Sequence, residues 1–110
     1  MGIKHPVCHI EENGDSYGIR VEGELDFGTA CELENALRKC IDNGAKQLRL
    51  DLSQVTFIDS EAIKVVLTAA DELARSGGSL AVVECSFVVR RAFGLLGLNT
   101  VLETDEPHGC

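Results

Sequence analysis

A chain of 110 residues has room for one domain with a single buried core. Its 45% hydrophobic and 25% charged residues are the balance of an ordinary globular protein, and with aromatics at 5% and no Trp the core must be mostly Val, Ile, Leu and Ala. The net charge of −8 argues against nucleic acid or an anionic membrane surface as partner, because phosphates would repel the chain; a basic protein surface suits it better.

The elements follow in chain order. Val7 to Glu11 is predicted to be a strand, joined through the turn residues Asn13-Gly14-Asp15 to a second strand in which Tyr17, Ile19 and Val21 alternate with Gly18, Arg20 and Glu22. From Thr29 to Asn43, Ala30, Leu33, Leu37, Cys40 and Ile41 recur at helical spacing, and Gly44 lies just past the end. Gln47 to Leu52 alternates again, with Leu48, Leu50 and Leu52 facing one way and Arg49 and Asp51 the other. A second helix runs from about Ser60 to Arg75, closed by Gly77-Gly78, and Ser79 to Glu84 is an apolar run suited to a central strand. A third helix spans about Phe87 to Leu96 and ends at Gly97; Val101 and Leu102 form a last short strand or turn, and 104–110 is a frayed tail after a core of about 7–103.

Strands alternating with helices imply an α/β fold with parallel pairing after an antiparallel opening hairpin. Strands covered by helices on both faces would be apolar almost throughout, and two of these are half polar. A single-domain mixed β-sheet is therefore expected, with its helices mainly on one face and the other face largely wet. Asp51 in a strand invites comparison with the phospho-receiver domains of two-component signalling. Those cover both sheet faces and need an acidic pair ending the first strand and a lysine after a late one. The strand ends do not offer that set, the lysines being Lys4, Lys39, Lys46 and Lys64, none of them after a late strand.

No apolar run approaches the roughly 18 residues of a membrane span, and Met1 to Ile10 lacks the pattern of a secretory signal. A cytoplasmic protein without membrane insertion is expected. Five cysteines, odd in number and without a C-x-x-C pair, fit a reducing compartment. Cys31 and Cys40 lie on opposite faces of one helix and cannot bond, Cys40 and Cys85 read as small core residues, and the terminal Cys110 reads as exposed. His5, Cys8 and His9, with His108 and Cys110, are metal-ligand types, but neighbours on a strand point apart, so no metal site is assigned. Arg90-Arg91 reads as a solvated pair on the third helix.

In a parallel sheet, partners meet the carboxyl ends of the strands. Those ends carry Gly23-Glu24-Leu25-Asp26, Asp59-Ser60-Glu61 and Glu84-Cys85-Ser86, expected as neighbours on one acidic, hydroxyl-rich rim. The rim has no histidine to serve a Ser or Cys nucleophile, and Gly77-Gly78 is a helix stop and no phosphate cradle, so neither an enzyme nor a cofactor is expected.

The start of the second helix can be registered. With Asp59 as N-cap, Ile58 and Ile63 stand at the two positions of a hydrophobic staple; with Ser60 as cap, the charged Asp59 would hold the first of them and no staple forms. Asp59 thus caps, and Ser60 falls at the first helical position with its hydroxyl facing solvent. A phosphate there would be favoured by the helix N-terminus by roughly 0.3–1 kcal/mol. Asp26, Asp59 and Glu61 would oppose it, each by roughly 1–6 kcal/mol at ~6 Å before screening. The fold can carry such a group at its surface, while a partner packed over the rim cannot easily accept it.

G23-E-L-D26, L50-D-L-S-Q-V-T-F-I-D-S60, G77-G-S-L-A-V-V and V88-V-R-R-A-F-G-L-L-G-L98 together resemble, in order and spacing, the STAS domain of bacterial anti-sigma factor antagonists, over about Val7 to Glu103. The Asp-Ser pair after V-T-F-I is the most specific part. The resemblance implies a mixed sheet with helices on one side. It also implies a serine at the position of Ser60 that is phosphorylated by a partner acting as both serine kinase and anti-sigma factor. The unphosphorylated form binds that partner, phosphorylation breaks the complex and a phosphatase restores it. Carried over, Ser60 is the phosphoacceptor, Asp59 its structural neighbour and Asp26 an acid shaping the docking surface; Glu24, Glu61 and Ser86 complete the expected partner-binding set. Where the family has a small residue and then Gly, this chain has Glu61 and Ala62. The added charge of Glu61 beside the acceptor keeps open an alternative, a non-phosphorylated adaptor in a stress-signalling or transport complex. A weak homodimer is compatible with either reading.

Overall fold

The computed structural model describes residues 6–97. Within them the chain runs β1 (Val7–Asn13), β2 (Ser16–Leu25), α1 (Ala30–Asp42), β3 (Gln47–Ile58), α2 (Ser60–Arg75), β4 (Ser79–Cys85) and α3 (Phe87–Leu95). The strands form one mixed sheet in the order β1-β2-β3-β4, with β1 antiparallel to β2 and the other two pairings parallel. The predicted strand or turn at Val101 and Leu102, the tail 104–110, His5, His108 and Cys110 lie outside the described residues.

The core is built from the periodicities of the sequence. α1 buries Ala30, Leu33, Ala36, Leu37 and Cys40, and α2 buries Ala62, Ile63, Val66, Ala69 and Leu73, in each case one stripe at helical spacing. These stripes share a core with Tyr17, Ile19, Val21 and Leu25 of β2, with Leu48, Leu50 and Leu52 of β3, and with Val82 of β4. The alternate residues of the two long strands, Gly18, Arg20 and Glu22 on β2 and Arg49 and Asp51 on β3, remain partly or fully exposed, as a one-sided sheet requires. α3 adds Val89 and Phe93, both fully buried, and Arg91 beside them is exposed.

β2 and β3 are longer than their alternating patterns suggest, and the register explains why. Arg20 pairs with Asp51 but Glu22 with Gln54, and Gly23 pairs with Val55 but Glu24 with Phe57. At each step β3 contributes one extra residue, a bulge that shifts its alternation to the other parity. Buried positions on β3 are therefore 48, 50 and 52, then 55, then 58, and Val55 and Ile58 join the core although the period of two ends at Leu52. Gly23, at φ 115, sits at the second shift inside β2, where a side chain would strain the backbone. Gly23, Glu24 and Leu25 are accordingly strand residues and not a loop after the strand.

Candidate functional site

The two long strands end together. Leu25 pairs with Ile58, and the Asp59 N–H donates to the Leu25 carbonyl at 3.1 Å, so the chain leaves β2 into the turn before α1 and leaves β3 into α2 side by side. At the start of α2 the Asp59 carboxylate accepts from the backbone N–H groups of Glu61 at 3.0 Å and Ala62 at 3.2 Å. Ile58 and Ile63 on either side of the cap are both buried. This is the predicted register, and it leaves Ser60 as the first residue of α2, exposed, with a hydroxyl that makes no hydrogen bond to any other described residue.

On the neighbouring strand end Asp26 organises a tight turn. Its Oδ1 accepts from the N–H of Gly28 at 2.9 Å and from the N–H and hydroxyl of Thr29 at 3.0 Å each. The Thr29 hydroxyl also donates to the Glu24 carbonyl at 2.9 Å. Asp26 and Asp59 thus each use one carboxylate oxygen to shape backbone, so two negative charges are fixed beside the Ser60 helix start. Glu24 sits one residue before Leu25 and points to the other side of the sheet, half-buried.

Ser86 does not share this corner. β4 pairs only as far as Cys85 with Leu52, and the Ser86 N–H donates to the Leu52 carbonyl at 3.2 Å. The Ser86 hydroxyl donates to the Val55 carbonyl at 2.7 Å and accepts from the Val89 N–H at 3.3 Å, capping α3. Because β3 runs on to Ile58, Ser86 lies about five residues of extended chain short of Ser60, on the order of 15 Å. The expected single rim is therefore two: the end of β2 and the start of α2 after β3 bring Glu24, Asp26, Asp59, Ser60 and Glu61 together, and β4 stops below them.

Glu61, the residue that departs from the expected small one, is half-buried and lines a shallow groove between α1 and α2 of about 180 Å³, together with Glu34, Arg38, Lys64 and Val65. That groove is clamped further along by Arg38 and Glu72, joined by two hydrogen bonds of 2.7 Å. Among the described residues no cluster of His, Cys, Asp and Glu is placed to hold a metal ion. Burial, with the nearby Glu32 carboxylate, pushes the Cys8 thiol up, and burial pushes Cys40 up, so both are held as protonated thiols. No helix among the described residues is long and apolar enough to cross a membrane.

Two features of the corner carried no weight in the sequence. Phe57 pairs with Glu24 and is 47% exposed, and Phe27, at the apex of the Asp26 turn, is 78% exposed. For Phe27 a signal was there in D-F-G, an aromatic residue directly after an acid and outside any helix or strand pattern; Phe57, between Thr56 and Ile58, gave none.

The family model of the STAS domain matches residues 8–108. The chain belongs to the STAS domain family. A curated relative, the anti-sigma-B factor antagonist of Staphylococcus epidermidis, is 27% identical over 92 residues, covering 84% of this chain and 85% of the relative. Among solved structures, an anti-sigma factor antagonist from Mycobacterium paratuberculosis superposes with a TM-score of 0.78 at 28% identity, covering 89% of this chain and 83% of that one. The STAS fold is also shared with SpoIIAA. Its unphosphorylated form gives a TM-score of 0.77 at 24% identity over 93% of this chain and 91% of that one. The phosphorylated form of the Bacillus protein gives 0.71 at 23% over 93% and 95%. The mixed sheet and one-sided helices expected from the alternation are the fold of this family.

Proposed function

We propose that this STAS domain is an anti-sigma factor antagonist whose docking is set by the phosphorylation state of Ser60. Unphosphorylated, it binds an anti-sigma factor that is also a serine kinase, occupying that protein so that a sigma factor is released. The kinase transfers the γ-phosphoryl group of ATP to the Ser60 hydroxyl, ADP leaves, the complex separates, and a phosphatase resets the cycle. The observation that carries this reading is the Ser60 hydroxyl: exposed, at the first position of a helix, and without a bond to make because Asp59 already caps. The antagonist names of the relatives from Staphylococcus and Mycobacterium, and the two phosphorylation states of SpoIIAA, support it.

The energetics run the same way. The helix N-terminus welcomes an anion at Ser60 and Lys64 stands one helical turn on, so the isolated domain tolerates the group. A partner pressed over Asp26, Asp59 and a new charge near −2 loses affinity steeply, since 1.4 kcal/mol is tenfold. Incubation with ATP and the cognate kinase should add one phosphate, about 80 Da by intact mass, and Ser60→Ala should abolish that step. In titrations against the same protein, Ser60→Ala should bind like the wild type and the phosphorylated form or Ser60→Glu at least about tenfold more weakly. Equal affinities of all three forms would remove the switch. Binding without any mass step would favour the constitutive adaptor.

A further inference from the structure

Three of the four phenylalanines of this chain are turned to solvent: Phe27 at 78%, Phe87 at 74% and Phe57 at 47%. One exposed apolar residue means little, since much of any protein surface is apolar. Phe27 and Phe57 are different because of where they stand and how they are held. Phe57 is next to the last residue of β3, three positions before Ser60, and Phe27 is two positions beyond Leu25, whose strand partner is Ile58. Adjacent strands lie about 4.8 Å apart, so both residues stand at the same end of the sheet as Ser60, with Phe57 on the helix-free face beside its ladder partner Glu24.

Neither ring is on a slack segment. The turn that presents Phe27 is tied by the Asp26 carboxylate to Gly28 and Thr29, by the Asp26 N–H to the Thr29 hydroxyl at 2.9 Å, and by the Asp26 carbonyl to the N–H groups of Thr29 and Ala30 at 3.0 and 2.8 Å. Phe57 is fixed by its place in the β2–β3 ladder. An apolar side chain left largely in water adds little to a fold, whereas a backbone already fixed lowers the cost of ordering an interface. Aromatic side chains at the centre of a contact carry most of its affinity, and charged residues around them mainly select the partner.

We propose that Phe27 and Phe57 are the affinity anchors of the docking surface, and that the partner presents an apolar recess bordered by basic side chains. The recess would take the rings, and its basic border would meet Asp26, Asp59 and Glu24. A second copy of this chain is a poor occupant, because it brings the same acidic corner and a net charge of −8. The division of labour extends the proposed function, on which it rests: the two rings set how tightly the partner is held, and Ser60 sets whether it is held.

The test uses the full chain and the purified anti-sigma factor kinase of the same organism. Phe27→Ala and Phe57→Ala should each weaken binding of the unphosphorylated form by at least about tenfold, with Tm unchanged in the first and the chain still fully folded at the assay temperature in the second. Leu95→Ala removes an equally exposed side chain (76%) from the far end of α3 and should stay within about threefold. The ratio between Ser60→Ala and Ser60→Glu affinities should persist in the Phe27→Ala background. Wild-type affinity in both phenylalanine variants would overturn the anchors while leaving the switch intact. Phenylalanine variants that alter only self-association in sedimentation would likewise overturn them, in favour of a second copy. No binding by the wild type at all would instead sink the functional reading and the anchors together.

Discussion

Ser60 and Ser86 stand one position apart in helix numbering, the first at the opening residue of α2 and the second at the N-cap of α3. That single step decides what each hydroxyl can do. Ser86 Oγ donates its one proton to the Val55 carbonyl and receives the Val89 N–H, so it ties β3 and α3 together and is committed to the fold. Ser60 is spared the same duty because Asp59 performs it. A serine becomes available for chemistry when the residue before it is the better cap. The sharpest way to break this contrast is to delete both hydroxyls separately. Ser86→Ala loses a cap and leaves the Val55 carbonyl without that donor, together about 1–3 kcal/mol, which at about 4–8 °C per kcal/mol is a clear fall in Tm. Ser60→Ala should change stability by less than about 0.5 kcal/mol and barely move Tm. Comparable losses in thermal unfolding would mean that Ser60 is as structural as Ser86.

The next largest effect is expected at the residue that makes the difference. Asp59→Ala leaves the N–H groups of Glu61 and Ala62 without their acceptor, and should cost about 0.5–2 kcal/mol in a urea titration with unchanged slope. Asp59→Asn keeps an acceptor in the same place and should recover most of that. If Ala and Asn were equally stable, the cap would be ornamental, and Asp59 would not be what leaves the Ser60 hydroxyl uncommitted.

Most of the fold was legible because its signals are local. The helices could be read from stripes such as Ile63, Val66 and Leu73, and the one-sidedness of the sheet from the polar alternates Arg20 and Arg49. The register of α2 was readable as well, since only one choice of cap puts Ile58 and Ile63 where both can be buried. What could not be read was set by pairing between strands distant in sequence. The two bulges on β3 are invisible to any period count, yet they extend the strand from Leu52 to Ile58 and carry the Ser60 corner past the end of β4. Hence Glu24, Asp26, Asp59, Ser60 and Glu61 are brought to one end and Ser86 is not. D-F-G hinted at an exposed Phe27, but the turn that presents it could not be read, being fixed by Asp26 and Thr29 contacts that no hydrophobic pattern encodes.

The smallest effect separates the anchoring of α2 along its length from the capping at its start. Arg38 of α1 grips Glu72 of α2 through two hydrogen bonds of 2.7 Å, and this contact holds the Glu72 carboxyl below the usual carboxylate range and the Arg38 guanidinium above its own. A carboxyl whose folded pKa is depressed adds stability above its unfolded pKa of about 4.3, and that addition is lost as the pH falls through the folded value. Glu72 is 41% exposed, so solvent screening keeps the contribution small. Glu72→Gln should therefore lower Tm slightly at pH 7, and the gap to the wild type should close as the pH falls through the depressed folded pKa and the wild-type side chain is protonated too. A gap that persisted unchanged in acid would assign the loss to packing and not to the ion pair. Phosphorylation of Ser60→Ala and wild-type chains, compared in the Glu72→Gln background, should be unaltered, because the cap and not this clamp governs the Ser60 hydroxyl.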